Sequence, residues 1–263
     1  MYLINSSGYP DGDESGAVAY DGIRLEGAKS FTSTVPDPRI VTHTGDDRAF
    51  AQDVLPPTEM ETATLTTGKT NLSLDAALTG TKVEDLLGDV NMGVTSSDKQ
   101  GAEPQVMVFG WRQALDTEKG SSTYGQRRYI TRMYPSCRII PKPASMEDGA
   151  ADENSYSVVP TVVTKTPWGK ALAEITNGAT EGQSLRFISS NPLMMNKWNG
   201  NGTLSTFTLS NTPISATKTR VHANGTVATV SSVDTVAKTC TLSTPPANLS
   251  EVVAWYETSD TMN

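Results

Sequence analysis

The sequence predicts a mainly β protein, with one large β domain carrying one or two short helices, followed by a small β-sandwich. Three observations carry this. Arg39 to Thr67 reads as strand, tight turn, strand, Pro-Pro corner and strand again. Gln105–Leu115 and Tyr129–Ile140 are long runs of aromatic and β-branched residues, the composition that fits a pleated, half-buried surface. From Thr203 to Thr258 the chain shows short strand-like runs, no helical period, and an Asn-Gly and a Pro-Pro break.

Residues 1–19 are rich in Gly, Ser and Asp and read as an extended arm whose apolar anchors are Tyr2, Leu3, Ile4 and Tyr9. Within it, Asp11-Gly12-Asp13-Glu14-Ser15-Gly16 matches the opening of a calcium loop, with oxygen ligands at alternate positions and a glycine at the sharp turn. The closing bidentate Glu is missing: Gly22 stands in its place, with Asp21 one residue early, and no flanking helices are expected. The arm is therefore read as polar and free of metal.

The large domain is assigned to residues 20–195. Ile40-Val41-Thr42-His43 and Arg48-Ala49-Phe50-Ala51 are its first hairpin. Thr44-Gly45-Asp46-Asp47 makes the turn, because Gly tolerates positive φ and Asp side chains bond back to the local backbone. Leu55-Pro56-Pro57 stops the pairing, since proline has no N–H to give a ladder. Glu59–Thr67 resumes as a Thr-rich strand. Leu72–Leu78 and Val83–Leu87 are the helix candidates, with Gly80 and Gly88 as their stops. Asn91–Pro104 is loop-like. In Gln105–Leu115 both alternating sets are apolar, which implies burial on two faces. Asp116–Gly125 is a polar loop and Lys142–Ser155 an acidic one. Tyr156–Lys165 alternates again, and Trp168-Gly169 closes it.

Pro, Asn and Gly mix in Asn191–Gly202, so a linker is placed at 196–202 and a separate β module at 203–263. Its strands are Thr206–Leu209, Arg220–Val227, Lys238–Leu242 and Val252–Tyr256. Asn224-Gly225 between two short runs is the strongest local hairpin signal. Four to six short strands over such a length make a small β-sandwich.

The chain has 263 residues and a formal charge of −8. Lys197, Lys218, Arg220 and Lys238 balance Asp234, Glu251, Glu257 and Asp260, so the first 196 residues hold the whole excess. An acidic surface repels the phosphate backbone, which argues against a nucleic-acid reader and suits a conduit that must not stick to DNA. No apolar run approaches the ~20 residues needed to cross a bilayer. The N-terminus shows neither a basic start nor an apolar core, so no secretory signal is expected.

Chemistry-bearing residues are few. His43 and His222 are the two histidines, each inside a strand or hairpin, and no nucleophile elbow, His-x-x-x-His or phosphate loop accompanies them. Both read as solvated or packed. Cys137 and Cys240 are too far apart to suggest a disulfide framework or a zinc site and read as reduced, partly buried thiols. Hence no catalytic, cofactor or metal residue is assigned, and the chain is expected not to be an enzyme. Carboxylate-only chemistry needs just two acids and stays open. The aromatics show no clustering in the sequence that would favour a sugar platform. Arg127, Arg128 and Arg132 form the one dense basic patch, interleaved with Tyr124, Tyr129 and Tyr134. Such interleaving can mark single-strand binding. In a net-acidic domain it points instead to acidic residues of a neighbouring subunit. The sequons at Asn5, Asn71, Asn201, Asn224 and Asn248 carry little weight in a chain rich in Ser and Thr.

The order and local flavour of several segments resemble the tail tube (major tail) proteins of long-tailed bacteriophages. The residues are His43-Thr44-Gly45-Asp46, Leu55-Pro56-Pro57, Leu72-Ser73-Leu74-Asp75-Ala76-Ala77-Leu78-Thr79-Gly80, Val106-Met107-Val108-Phe109-Gly110 and the run Tyr134 to Gly169. The resemblance covers roughly the first 195 residues. It implies a tail-tube-type β-sandwich or barrel domain, with residues 203–263 as an immunoglobulin-like accessory module on an outer face. It also implies a virion protein, assembled in the host cytoplasm, that forms stacked hexameric rings around a DNA channel. Its expected partners are other copies of itself, tail tip, terminator and tape-measure proteins, and double-stranded DNA in passage, with no membrane. The expected stacking contacts are 1–19, 116–125 and 142–155. Alternatives from the same broad class are a capsid decoration or tail-tip protein. A carbohydrate-binding or hydrolytic cell-surface β-protein is the alternative from another class.

Overall fold

The structure, a computed structural model, describes residues 2–3, 25, 28–45, 48–57, 59–68, 78, 83–84, 93–94, 104–142, 153–176, 178 and 180–260. The chain is mainly β and divides into two compact units. One comprises Met1–Leu25, Pro104–Cys137 and Thr161–Asn263; the other comprises Glu26–Glu103 and Arg138–Pro160. The calcium-like motif at 11–16 and the acidic stretch from 146 to 152 lie outside the described residues.

In the Glu26–Glu103/Arg138–Pro160 unit, Thr62–Thr67 pairs antiparallel with Ala28–Thr34 on one side and Asn154–Pro160 on the other. Strand alternation sorts the residues onto two faces. Phe31, Leu65 and Tyr156 stand opposite one another on one face, as do Ser33, Ala63 and Val158. Ala63, Leu65, Tyr156 and Val158 are buried there. The other face is rich in hydroxyls: Ser30, Thr66 and Ser155 in one row, Thr32, Thr64 and Ser157 in the next, then Thr34 and Thr62, with Val159 following Ser157 on its strand.

The first predicted hairpin is present and longer than expected. Arg39–Gly45 pairs with Arg48–Leu55 from end to end, with a bulge between His43 and Thr44. The pairing runs through Thr44 and Gly45 and stops at Leu55, where Pro56 removes the next donor. The helix expected at Val83–Leu87 is corrected by its first two residues, because Val83–Glu84 pairs with Gly93–Val94 as a short ladder. A five-residue apolar pattern is too short to offset helix nucleation, and β-branched Val83 finds Val94 opposite it. Leu78 is helical and buried; the rest of Leu72–Leu78 lies outside the described residues.

In the other unit, Val106–Leu115 pairs with the Arg127–Cys137 part of Arg127–Pro141, and Leu185–Ser189 pairs on the far side of that strand. Tyr2–Leu3 adds to the Val106–Met107 end, so two of the arm's apolar anchors are strand residues. The polar segment after Leu115 is a closed turn held by Asp116. Its carboxylate accepts from the Thr123 and Ser121 hydroxyls and from the Glu118 N–H, and Gly125 N–H returns to its carbonyl. Bonds to the ionised form hold the Asp116 carboxyl below its ordinary value, the Thr123 hydroxyl foremost.

The C-terminal region is a two-sheet sandwich, as expected. One sheet runs Leu193–Asn199, Glu251–Glu257, Thr219–Ala223, Thr226–Ala228; the other runs Thr206–Thr208, Thr239–Leu242, Val230–Asp234. Trp198, Phe207, Leu209, Val221, Cys240, Leu242, Val252, Ala254 and Tyr256 pack between them. Two expectations change here. The segment read as a linker at 196–202 contains the end of a strand, since Leu193–Asn199 pairs along its whole length with Glu251–Glu257. The strand order also departs from the immunoglobulin arrangement, in which the second strand pairs with the fifth and the sixth with the third and seventh. Here the second strand of the sandwich pairs with the sixth, and the seventh with the first and third.

Nor does the sandwich hang free. Met195, Val253 and Trp255 point to the opposite side of its four-stranded sheet and pack with Met107, Met133, Trp168, Leu172 and Leu185. Glu251–Glu257 is therefore buried on both faces, its run of apolar side chains serving two cores at once.

Candidate functional site

His43 and His222 belong to different units. His43 sits in the exposed hairpin with Nε2 2.8 Å from an Asp53 carboxylate oxygen. His222 lies with its ring 6.0 Å from Trp168 and its Nδ1 buried without a hydrogen-bond partner among the described residues. Burial pulls its pKa below the ordinary value, with Lys170 and Arg220 adding to the effect. The two thiols are fully buried, further inside than expected. Burial pushes Cys137 and Cys240 up to about 12 each, so neither is a ready nucleophile.

Of the sequon residues described, Asn201 and Asn224 do structural work. Asn201 Oδ1 accepts from Thr203 and Leu204 N–H groups at 3.0 and 2.7 Å, and Asn224 Oδ1 accepts from Glu251 N–H at 3.0 Å. Asn248 is exposed; Asn5 and Asn71 lie outside the described residues. Among the described residues no three His, Cys, Asp or Glu side chains gather as a metal-holding group, and no helix is long and apolar enough to cross a membrane.

Aromatics scattered in sequence are brought together by the fold. Trp168 and Trp255 meet edge to face at 5.2 Å, and Phe109, Phe187 and His222 complete the group. Both tryptophans are only 7% exposed and their rings cross at 74°, the geometry of a packed core rather than a flat sugar platform. This core is what clamps the C-terminal sandwich to Val106–Leu115 and Arg127–Cys137.

Two exposed surfaces stand out among the described residues. The first is the hairpin Arg39–Gly45/Arg48–Leu55. Among the described residues each of its strands pairs only with the other, which leaves two open edges. Ile40 and Val54 stand directly opposite one another and are 61% and 67% exposed. Leu55, and the neighbouring Val35 and Met60 outside the hairpin, are also exposed.

The second surface extends the basic patch seen in the sequence. Alternation divides that patch: Arg127 and Tyr129 fall on one face of their strand, and Arg128, Ile130, Arg132 and Tyr134 on the other. Register then adds residues that lie far off in the chain. Arg112 stands opposite Ile130, and Arg186 opposite Arg132, with Ile188 beside Ile130. Gly110 and Ala114 flank Arg132 and Arg128 from the neighbouring strand. Arg132 also lies over the Tyr134 ring, 5.7 Å from its centroid. No local signal in the sequence marks Arg112 or Arg186, because neither has another basic residue beside it; only strand pairing unites them.

Comparison with known proteins gives no matching family model, no matching curated protein and no matching solved structure.

Proposed function

We propose that this chain is a structural protein without catalytic machinery that assembles with copies of itself, as the tail tube subunit of a long-tailed phage. In that reading hexameric rings stack into a tube whose lumen conducts DNA, and the acidic excess keeps the wall from holding its cargo. The resemblance of the segments quoted above suggests the family, and one structural observation supports self-assembly. The hairpin Arg39–Gly45/Arg48–Leu55 exposes Ile40 against Val54 and leaves both edges unpaired among the described residues. An exposed flat edge with apolar side chains invites uncontrolled pairing in a monomer, and closing it against another subunit removes that hazard.

The test is negative-stain electron microscopy of purified protein over a concentration series, beside the variant Ile40→Lys/Val54→Lys. Rings or hollow tubes of uniform width are expected from the wild type and only single subunits from the variant. Because both positions are exposed, the substitutions should change folding stability by no more than about 0.5 kcal/mol each. Tubes from the variant would remove the hairpin from assembly. Single subunits from the wild type at every concentration would turn the reading toward a capsid decoration or tail-tip component.

A further inference from the structure

We propose that the arginine face of the sheet formed by Val106–Leu115, Arg127–Cys137 and Leu185–Ser189 is a docking surface for a carboxylate-bearing surface of a second copy of this chain. The proposal deepens the assembly reading and rests on it for the identity of the occupant.

Register brings the arginines of this face together. Arg112, Arg128, Arg132 and Arg186 project from three adjacent strands to one side, spaced by Ile130 and Ile188. Arg132 and Arg186 are direct cross-strand partners, and like charges in that position repel. Among the described residues Arg112, Arg128 and Arg186 make no ion pair, and Arg128 Nε is buried without a hydrogen-bond partner. Asp116 is close enough to Arg128 for the two to interact electrostatically, yet its carboxylate is committed to Thr123, Ser121 and the Glu118 N–H. The face is thus a set of guanidinium forks beside apolar stems, held on a sheet rather than on loops.

Guanidinium forks bind carboxylate and phosphate alike. Two observations favour carboxylate. The chain carries −8 overall, with the entire excess in its first 196 residues, so a second copy is itself an acidic partner while duplex DNA is repelled. Single-stranded nucleic acid needs exposed rings for stacking, and the aromatic on this face, Tyr134, is buried.

The experiment measures self-association of the full chain by sedimentation velocity at low and high salt, for wild type, Arg112→Glu/Arg186→Glu and Arg112→Lys/Arg186→Lys. A fluorescent duplex oligonucleotide is titrated in parallel, and grids are prepared from every sample. Salt should weaken the wild-type association. The Glu variant should associate at least about tenfold more weakly, and the Lys variant should fall between, since lysine keeps the charge and loses the fork. The thermal midpoint of the Glu variant should not fall, because the carboxylate introduced by Arg186→Glu would face Arg132, and this separates a binding role from a structural one.

Wild-type-like association by the Glu variant overturns the proposal, and tubes from that variant would leave the tail tube reading standing. Oligonucleotide binding lost in the Glu variant while self-association stays unchanged overturns it in favour of nucleic acid. Salt-sensitive oligomers that are lost in the Glu variant but never form rings or tubes support this face and sink the tube. A wild type that stays monomeric in every salt overturns both.

Discussion

His222 is the residue at which pH reaches the fold. Its ring lies on the side of Thr219–Ala223 that faces Trp168, opposite the side where Val221 fills the sandwich. Burial, with Lys170 and Arg220 nearby, lowers its pKa from the ordinary 6.5, so the native state holds the neutral imidazole. Below pH 6.5 the unfolded chain takes up a proton that the native one resists. The stability involved is fully present above that pH and is lost as pH falls through it toward the lower native value. Thermal midpoints measured between pH 7.5 and 5.5 should decline for the wild type and flatten for His222→Gln. An undiminished decline would assign the effect elsewhere. Asp260, whose carboxylate is held low mainly by the Thr212 N–H, acts in a separate acid window below 3.8 and does not confuse the result. At this scale the sequence reads His222 as a solvated or packed ring, and the structure packs it. The sequence did not show the ring beside it, because Trp168 is remote in the chain and only the packing of two sheets joins them. Arg186 teaches the same lesson about charge. Its repulsion with Arg132 predicts that Arg186→Glu stabilises the isolated fold by ~0.2–1 kcal/mol, a sign that no reading of either strand alone would supply.

Single elements were more legible, wherever a local rule was strong enough to win. Asn224-Gly225 is the clearest case: both residues have positive φ, 48° and 77°, as the two central positions of a hairpin turn with the native twist require. Gly225 has a further reason to lack a side chain, since a Cβ there would sit 3.2 Å from the Gly169 carbonyl carbon. Gly225→Ala should therefore cost ~1–2 kcal/mol from the backbone alone, measured by urea denaturation. A loss under about 0.5 kcal/mol would mean that the turn relaxes. The element that escaped is Leu193–Asn199. Its Met, Asn and Lys content is poor strand material, and Pro192 and Gly200 frame it like a connector. It is a strand because Glu251–Glu257 offers a full ladder and because Met195 and Trp198 fill one core each. Tertiary context overrode propensity there, whereas at Val83–Glu84 pairing with the nearby Gly93–Val94 replaced the expected helix.

For the whole molecule, the decisive element is Glu251–Glu257. Its odd and even side chains serve different cores, so the C-terminal sandwich and the sheet carrying the arginine face share one strand's energetics. Trp255→Ala should cost ~3–5 kcal/mol and lower the unfolding midpoint of the entire Met1–Leu25/Pro104–Cys137/Thr161–Asn263 unit. Near-ultraviolet circular dichroism with denaturant would read it. A variant that loosened only the sheet beside Trp168 and spared the sandwich would show two separate cores instead. The mainly β class and the C-terminal sandwich were readable from strand periods and turn residues. The fusion of sandwich to sheet was not, since no sequence rule says which of two apolar faces meets which neighbour.

The hydroxyl rows of Ser30, Thr32, Thr34, Thr62, Thr64, Thr66, Ser155 and Ser157 have a different consequence. Each of these side chains both gives and accepts a hydrogen bond, and none titrates in the physiological range. Apart from Val159, such a plane offers water donors and acceptors and carries no charge of its own. The face therefore keeps one charge state, neutral, across the whole range in which the carboxylates and histidines of the chain change theirs.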